Sequence, residues 1–185
     1  MEKRIKRIVV IGPESTGKSS LCSALALHYK TIWVKEFARE YLKKKGSAYE
    51  YADLYDIAKA QIAAEDAAAI QTAGLTDLNL PTPLFIDTDL QVIKVWSEFV
   101  FNKCDNRILT QITKRNYDLY LLCNIDLPWV KDNLREYPEL KIREKLFNYY
   151  KETMVEQSNP WKIISGGYEE RQELAVKYTD QILSI

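Results

Sequence analysis

Eight residues, Gly12-Pro-Glu-Ser-Thr-Gly-Lys-Ser19, combine glycines, hydroxyls and one lysine at a spacing suited to holding phosphate. They sit between an apolar run, Ile8–Ile11, and a segment with helical spacing at Leu21, Leu25, Leu27 and Tyr29. In a strand–loop–helix of this kind the loop N–H groups turn inward onto phosphate oxygens. The following helix adds its positive N-terminal end. Lys18 is then expected on the β- and γ-phosphates, and the Ser19 hydroxyl on Mg²⁺. Gly12, Glu14, Ser15, Thr16, Gly17, Lys18, Ser19 and Ser20 form the expected triphosphate-binding set.

A phosphate cradle does not by itself name a reaction. Carboxylates follow two further apolar runs, Glu36 after Thr31–Lys35 and Asp87-Thr-Asp89 after Leu84–Ile86. Phosphoryl transfer to a hydroxyl needs carboxylates for two tasks, ordering the Mg²⁺ shell and taking the proton of the attacking hydroxyl. Either Glu36 or Asp87 suits the second task, with Asp87 slightly favoured. Asp87 and Ser19 are the expected Mg²⁺ ligands. The competing structural reading makes Glu36 and Asp89 helix caps. It fits Asp87 poorly, because an unpaired carboxylate after a wholly apolar strand is costly.

Asp126–Arg135 is charged and carries Pro128 and Trp129, which reads as a lid spanning roughly 126–143. Arg135, with Lys141 and Arg143, would neutralise charge on the transferring group. Closure would exclude water and so suppress hydrolysis. Trp33, Tyr55 and Trp129 are candidates for stacking on a cationic ring. Gln61 and Glu65, one helical turn apart, are candidates for the same pocket.

One motif points elsewhere. Asn102-Lys-Cys-Asp105 matches a guanine-reading element. A GTPase switch also needs Asp-x-x-Gly, but Asp87 is followed by Thr-Asp-Leu, and the segment before Asn102 has helical rather than strand spacing.

These residues need a scaffold. The 185-residue chain suits one domain, 1–185, and its 46% hydrophobic content suffices for a core. Apolar runs alternate with helical patterns, the signature of α/β with a parallel sheet. Strands are expected at Ile5–Ile11, Thr31–Lys35, Leu84–Ile86, Tyr117–Cys123 and Trp161–Ser165. Helices are expected over Lys18–Tyr29, Phe37–Lys45, Tyr51–Thr72, Leu90–Asn102, Arg107–Arg115, Ile142–Gln157 and Glu169–Ile185, with a loop over Leu75–Pro83. The fold expected is a P-loop kinase, a five-stranded parallel sheet flanked by helices with a lid. Ligands of such sheets lie at the carboxyl ends of the strands.

Charge and composition exclude several classes. With 26 basic and 26 acidic residues, the chain is not built to neutralise nucleic acid. The basic start, Met1–Arg7, reads as a solvated strand end. No apolar run nears the roughly 20 residues of a membrane span, and no signal peptide is recognisable. The three scattered cysteines fit no zinc or disulfide spacing, which suggests a cytoplasmic, reducing setting. The single histidine, His28, rules out a histidine-based triad and reads as a surface residue.

Gly12–Ser19, Glu36-Phe-Ala-Arg-Glu-Tyr41, Phe85-Ile-Asp-Thr-Asp89, Tyr117–Cys123, Trp129–Arg135 and Gly167-Tyr-Glu-Glu-Arg171 occur in this order. Together they resemble the ribosylnicotinamide kinase domain of NadR-type proteins over nearly the whole chain. The resemblance implies ATP- and Mg²⁺-dependent phosphorylation of a small nucleoside, nicotinamide riboside, at its 5′-hydroxyl, giving nicotinamide mononucleotide. It implies that Glu36 and Arg39 face the ribose, that Asp87 and Asp89 serve the base and Mg²⁺ roles, that Trp129–Arg135 belong to the lid, and that Gly167–Arg171, Tyr168 included, lie near adenine; Arg39 and Asp89 are the residues expected to orient the ribose. Many relatives carry an adenylyltransferase domain or a DNA-binding region as well, and neither is expected here. Lys35, where some relatives have Trp or Pro, would disfavour a cationic ring unless it points away. Kinases for another nucleoside or vitamin alcohol, and a nucleotide switch, are the alternative readings.

Overall fold

The computed structural model describes residues 5–46, 48–75 and 81–184. Strand β1 (Ile5–Ile11) leads through the glycine loop into α1 (Lys18–His28). Next come β2 (Trp33–Val34), α2 (Phe37–Lys45), α3 (Tyr51–Leu75) and β3 (Thr82–Asp87). After these follow α4 (Leu90–Phe101), α5 (Asn106–Lys114) and β4 (Leu119–Cys123). The chain closes with α6 (Leu140–Glu156), β5 (Trp161–Ile164) and α7 (Tyr168–Leu183).

The strands form one five-stranded sheet in the order β2-β3-β1-β4-β5, parallel at every pairing. β1 therefore lies centrally, and its residues Ile8–Ile11 are fully buried. Parallel sheets are covered on both faces, which explains the continuous apolar runs. Alternate residues serve opposite faces. Val9, Ile11, Leu84, Ile86, Tyr120 and Leu122 pack with residues of α3, α4 and α6. Ile8, Val10, Phe85, Leu119 and Leu121 pack with Leu21, Cys22 and Leu25 of α1 and Ala175 of α7. A third cluster joins α2, α3, α4 and α5 through Ala38, Leu54, Ile57, Ile93 and Ile108.

The chain leaves β1 between β3 and β4, and the crossovers diverge there. That switch point opens a crevice at the strand carboxyl ends, where α/β sheets bind ligands. The glycine loop leaves β1 at this point and Asp87 leaves β3 beside it.

Several boundaries differ from expectation. β2 is confined to Trp33–Val34 at the sheet edge. β4 starts at Leu119, because Asp118 turns its side chain to Lys6 and to the Arg7 amide. α3 continues through Gly74 to Leu75. Of the expected loop over Leu75–Pro83, residues 76–80 lie outside the described residues, and Thr82–Pro83 already belong to β3. Residues 1–4 and Ile185, in the expected basic start and final helix, also lie outside them. All three cysteines are free, with Cys22 and Cys123 buried, and His28 is exposed. No described helix is long and apolar enough to cross a membrane.

Candidate active site

The glycine loop is shaped by backbone that only its sequence tolerates. Gly12 has φ +137°, and a Cβ there would lie 2.7 Å from the Cys123 carbonyl oxygen. Ser15 and Gly17 also take positive φ, 57° and 78°. Thr16 Oγ1 and Lys18 Nζ both donate to the Pro13 carbonyl, at 2.8 and 2.9 Å, which closes the loop on itself. No acidic residue occupies the first turn of α1, so its positive end is not offset locally.

From below, Arg171 braces this loop. Its buried guanidinium donates to the carbonyls of Thr16, Asn124 and Gly166 at 3.0, 3.0 and 2.7 Å, and pairs with Asp126. Gly167 is the N-cap of α7, and Tyr168 is largely exposed with its ring edge against Gly17. The Gly167–Arg171 segment thus adjoins the phosphate loop.

The carboxylates divide their labour. Asp87, buried, accepts from Ser19 Oγ at 2.5 Å through Oδ2, while its Oδ1 has no hydrogen-bond partner. Burial, then the charge of Glu36, raise its pKa to about 6 against the pull of Lys18. Glu36 occupies the N-cap position of α2 but makes no side-chain capping bond. Glu36 lines the central cavity instead.

Asp89 does not join it. The structure places Asp89 as a buried cap, accepting from the Gln91 amide at 3.0 Å and from the Tyr120 hydroxyl at 2.7 Å. Burial raises its pKa to about 6 as well. Both Asp89 oxygens thus already accept hydrogen bonds, and the residue lies outside the cavity lining, apart from the expected ribose-facing set.

The segment 126–139 closes over the loop. Ser15 Oγ accepts from the Val130 amide at 2.9 Å and from Arg135 Nη1 at 3.2 Å. Glu14 Oε2 accepts from the amides of Glu136 and Tyr137 at 2.9 and 3.3 Å, and its pKa is raised by burial. Asp132 pairs with Arg39 of α2.

Together these parts enclose a cavity of about 200 Å³. Gly12, Glu14, Gly17, Lys18, Ser19 and Ser20 form its phosphate wall. Glu36 and Arg39 form a second wall, and Leu134–Tyr137 form the roof. Opposite stand Val92, Trp96 and Phe99 of α4, with Leu146 and Tyr150 of α6. Phe99 and Tyr137 meet edge to face at 5.4 Å, and Trp96 donates to the Tyr49 hydroxyl at 2.9 Å.

This aromatic wall is not the expected one. Tyr55 lies under the Arg107 guanidinium, 3.7 Å from its ring centre, on the α3–α5 side. Trp129 packs against Arg143 and Arg135, at 5.4 and 5.9 Å, outside the cavity lining. Trp33 packs on the opposite sheet face, with exposed Lys35 beside it, so Lys35 does point away from the cavity. Gln61 is buried, bonding Phe37 N and Thr88 O rather than lining the cavity. Glu65 is held by Arg115 and Tyr117, and Lys141 is exposed. The missed residues Trp96 and Phe99 had a signal, the four- and three-residue spacing from Val92 along one face of α4.

Asn102 ends α4 in left-handed backbone, and Asp105 caps α5 through the Arg107 amide at 2.8 Å. The guanine-like motif is thus a pair of helix caps.

A five-stranded parallel sheet, a glycine loop at its switch point and helices on both faces define a P-loop kinase-like fold. The chain belongs to the family described as "AAA domain", whose model matches residues 7–171. The NadR resemblance holds in the comparison with known proteins. The trifunctional NAD biosynthesis/regulator protein NadR of Escherichia coli (strain K12) is 26% identical over 159 residues, 84% of this chain and 37% of that protein. A crystal structure of NadR protein in complex with NR superposes with a TM-score of 0.79 at 20% identity, covering 98% of this chain and 50% of that one. Thymidylate kinase from Ehrlichia chaffeensis gives 0.68 at 9% identity, covering 95% and 99%. The chain therefore spans about half or less of the NadR proteins it matches.

Proposed function

We propose that this chain is an ATP-dependent kinase that phosphorylates the 5′-hydroxyl of nicotinamide riboside, giving nicotinamide mononucleotide. The observation that carries this reading is the cavity's two-sided lining. A phosphate loop with Lys18 and Ser19 faces an aromatic wall, and Glu36 and Arg39 lie in the same lining. A ribosyl group linked to a flat ring fits such a division, and stacking of a cationic ring on Trp96, Phe99 or Tyr137 would add affinity. The similarity to NadR proteins, one of them bound to NR, supports the same acceptor.

The donor groups suit Mg²⁺. Ser19 Oγ and the unpartnered Asp87 Oδ1 are hard oxygen ligands, and Mg²⁺ takes few protein ligands beside substrate phosphates. When bound it would offset charge on the β- and γ-phosphates. Lys18 and the loop amides hold those phosphates. Glu36, free of any cap role and in the cavity, takes the hydroxyl proton. Asp87, committed to Ser19, serves the metal side. This reverses the slight preference for Asp87 as base, because Asp87 already accepts from Ser19, whereas Glu36 makes no capping bond and lines the cavity. Arg39 orients the ribose, and Arg135 approaches the transferring group from the lid. Tyr168 and Gly167 flank the nucleotide base beside Gly17.

The test is an acceptor panel. The protein with Mg²⁺-ATP and separate nucleosides, nicotinamide riboside included, is followed by chromatography of the products. Nicotinamide mononucleotide as the preferred product supports the proposal. Preference for another nucleoside or a vitamin alcohol would transfer the assignment to that acceptor. Nucleotide hydrolysis with no acceptor phosphorylated would sink it.

A further inference from the structure

Glu36 is the N-cap of α2, two residues beyond the end of β2, and Asp87 is the last residue of β3. The residue after each is held by one side chain. Gln61 of α3, 2% exposed, accepts from Phe37 N–H at 2.9 Å through Oε1. Its Nε2 donates to the Thr88 carbonyl, also at 2.9 Å. One partner is a donor and the other an acceptor, and the Gln61 amide in this orientation satisfies both.

The Thr88 end needs holding. Thr88 has φ +68°, a conformation rare for a β-branched residue. Its N–H donates to the Val10 carbonyl at 3.1 Å, and its C=O is the group that Gln61 takes. At the other end, Phe37 opens α2, where the N–H groups lack intrahelical partners. The Gln61 amide thus links an orphan donor beside Glu36 to a strained carbonyl beside Asp87. No other side chain among the described hydrogen bonds joins these two turns.

We propose that Gln61 is a positioning residue: its amide sets the separation of Glu36 and Asp87, and so the alignment of proton acceptor and metal-side carboxylate. This rests on the kinase reading above. Gln61 touches neither substrate nor metal in this assignment. Its effect falls on the transfer step, because the nucleotide loop is held independently by Pro13, Arg171 and the lid. Misplacing reacting groups by about 1 Å costs up to about 100-fold in rate.

The experiment compares Gln61→Met, Gln61→Asn and Thr72→Val in the full chain. Met keeps the bulk and loses both bonds, while Asn keeps the amide on an arm too short to span both turns. Thr72, on the same helix, is buried and bonds only Ala68 O at 2.8 Å, so its variant reports a general loss of buried polar contacts in α3. Expected for Gln61→Met and Gln61→Asn is a fall in kcat of about 10- to 100-fold, with KM for ATP changed by less than about 2-fold, measured well below the melting temperature. Thr72→Val is expected to keep kcat whatever its melting temperature. An active wild-type protein alongside a Gln61→Met variant of unchanged kcat per folded molecule would overturn the positioning role alone. A wild-type protein that phosphorylates no acceptor would overturn the kinase reading, and this inference with it.

Discussion

Arg171 Nη1 donates to the Thr16 carbonyl at 3.0 Å across 155 residues of sequence, tying the last helix to the phosphate loop. The same guanidinium holds the ends of β4 and β5 through Asn124 O and Gly166 O, and pairs with Asp126. One buried side chain thereby fixes three strand exits relative to one another.

Arg171→Met should therefore destabilise the fold and weaken nucleotide binding together. It strands three carbonyls and removes the cation paired with Asp126, which keeps only the Gly166 amide; breaking a buried pair costs about 3–5 kcal/mol. Asp126 is partly exposed and regains water, so the lower end of that range is expected. Urea unfolding and ATP titration calorimetry measure the two effects. A stable variant with normal ATP affinity would refute the bracing role.

Gly12→Ala tests the loop itself. The added methyl would meet the Cys123 carbonyl at 2.7 Å and would force an alanine to φ +137°. Strained backbone of this kind costs about 1–3 kcal/mol, and relief requires moving the loop off its phosphate-binding shape. ATP affinity should fall at least about 10-fold, the equivalent of about 1.4 kcal/mol. Binding calorimetry decides it.

The carboxylates give a pH prediction with a definite sign. Burial and the Glu36 charge raise Asp87 to about 6. Its folded-state pKa exceeds its unfolded value, so its contribution to stability is full below about pH 4 and is lost as pH rises through 6. Asp87→Asn should then be more stable than wild type at pH 8, by about 2–3 kcal/mol, with the difference vanishing near pH 4. Under the proposed kinase function the same substitution removes the carboxylate assigned to the metal side, so it should abolish most phosphoryl transfer. Denaturant melts at pH 4, 6 and 8 test the first effect. Equal stability of the two proteins at pH 8 would contradict it. In the wild type, kcat/KM should rise with pH through about 6 as Asp87 ionises.

The central sheet and the phosphate loop were legible in the sequence because each has a local signature. Fully buried parallel strands must be continuous apolar runs, and the loop's glycines have fixed spacing. Asp89 and Glu36 mark where legibility ends. Both are acidic residues in the N-cap position of a helix. Only tertiary structure decides that the Tyr120 hydroxyl reaches Asp89 and commits it to the core, whereas Glu36 meets no capping amide and faces the cavity. The aromatic residues divide similarly. Trp33, Tyr55 and Trp129 carry the same chemistry as Trp96 and Phe99, but which side of a strand or helix faces the crevice depends on the sheet order, β2-β3-β1-β4-β5.

The lid contacts make a separate prediction. Arg39–Asp132 and Glu14 with the amides of Glu136 and Tyr137 hold the roof onto α2 and the phosphate loop. Roof residues 134–137 line the cavity, so loosening either contact should affect the acceptor more than ATP. Asp132→Asn should raise the acceptor KM about 2- to 5-fold, the effect of a partly exposed pair worth about 0.5–1 kcal/mol, and should increase ATP hydrolysis without acceptor as water enters. Phosphate release in the absence of acceptor reads the leak. An unchanged leak would leave the roof without a water-excluding role.

The aromatic wall gives the most selective test of the acceptor. Trp96 lines the cavity from α4 while its indole N–H is already satisfied by the Tyr49 hydroxyl, so it offers the cavity a ring rather than a hydrogen-bond donor. Attraction between such a face and a cation is worth about 0.5–2 kcal/mol, a 2- to 30-fold change in affinity. Trp96→Leu keeps an apolar wall and removes the π-system. KM for nicotinamide riboside, whose ring is cationic, should rise by that factor. KM for a neutral-ring nucleoside that the protein also accepts should change less, and KM for ATP should not change. Initial rates on the three substrates separate these effects. An equal rise for cationic and neutral acceptors would mean that Trp96 contributes bulk alone and that the ring charge is recognised by another group in the cavity. The acidic residues of the lining are Glu14, Glu36 and Glu136.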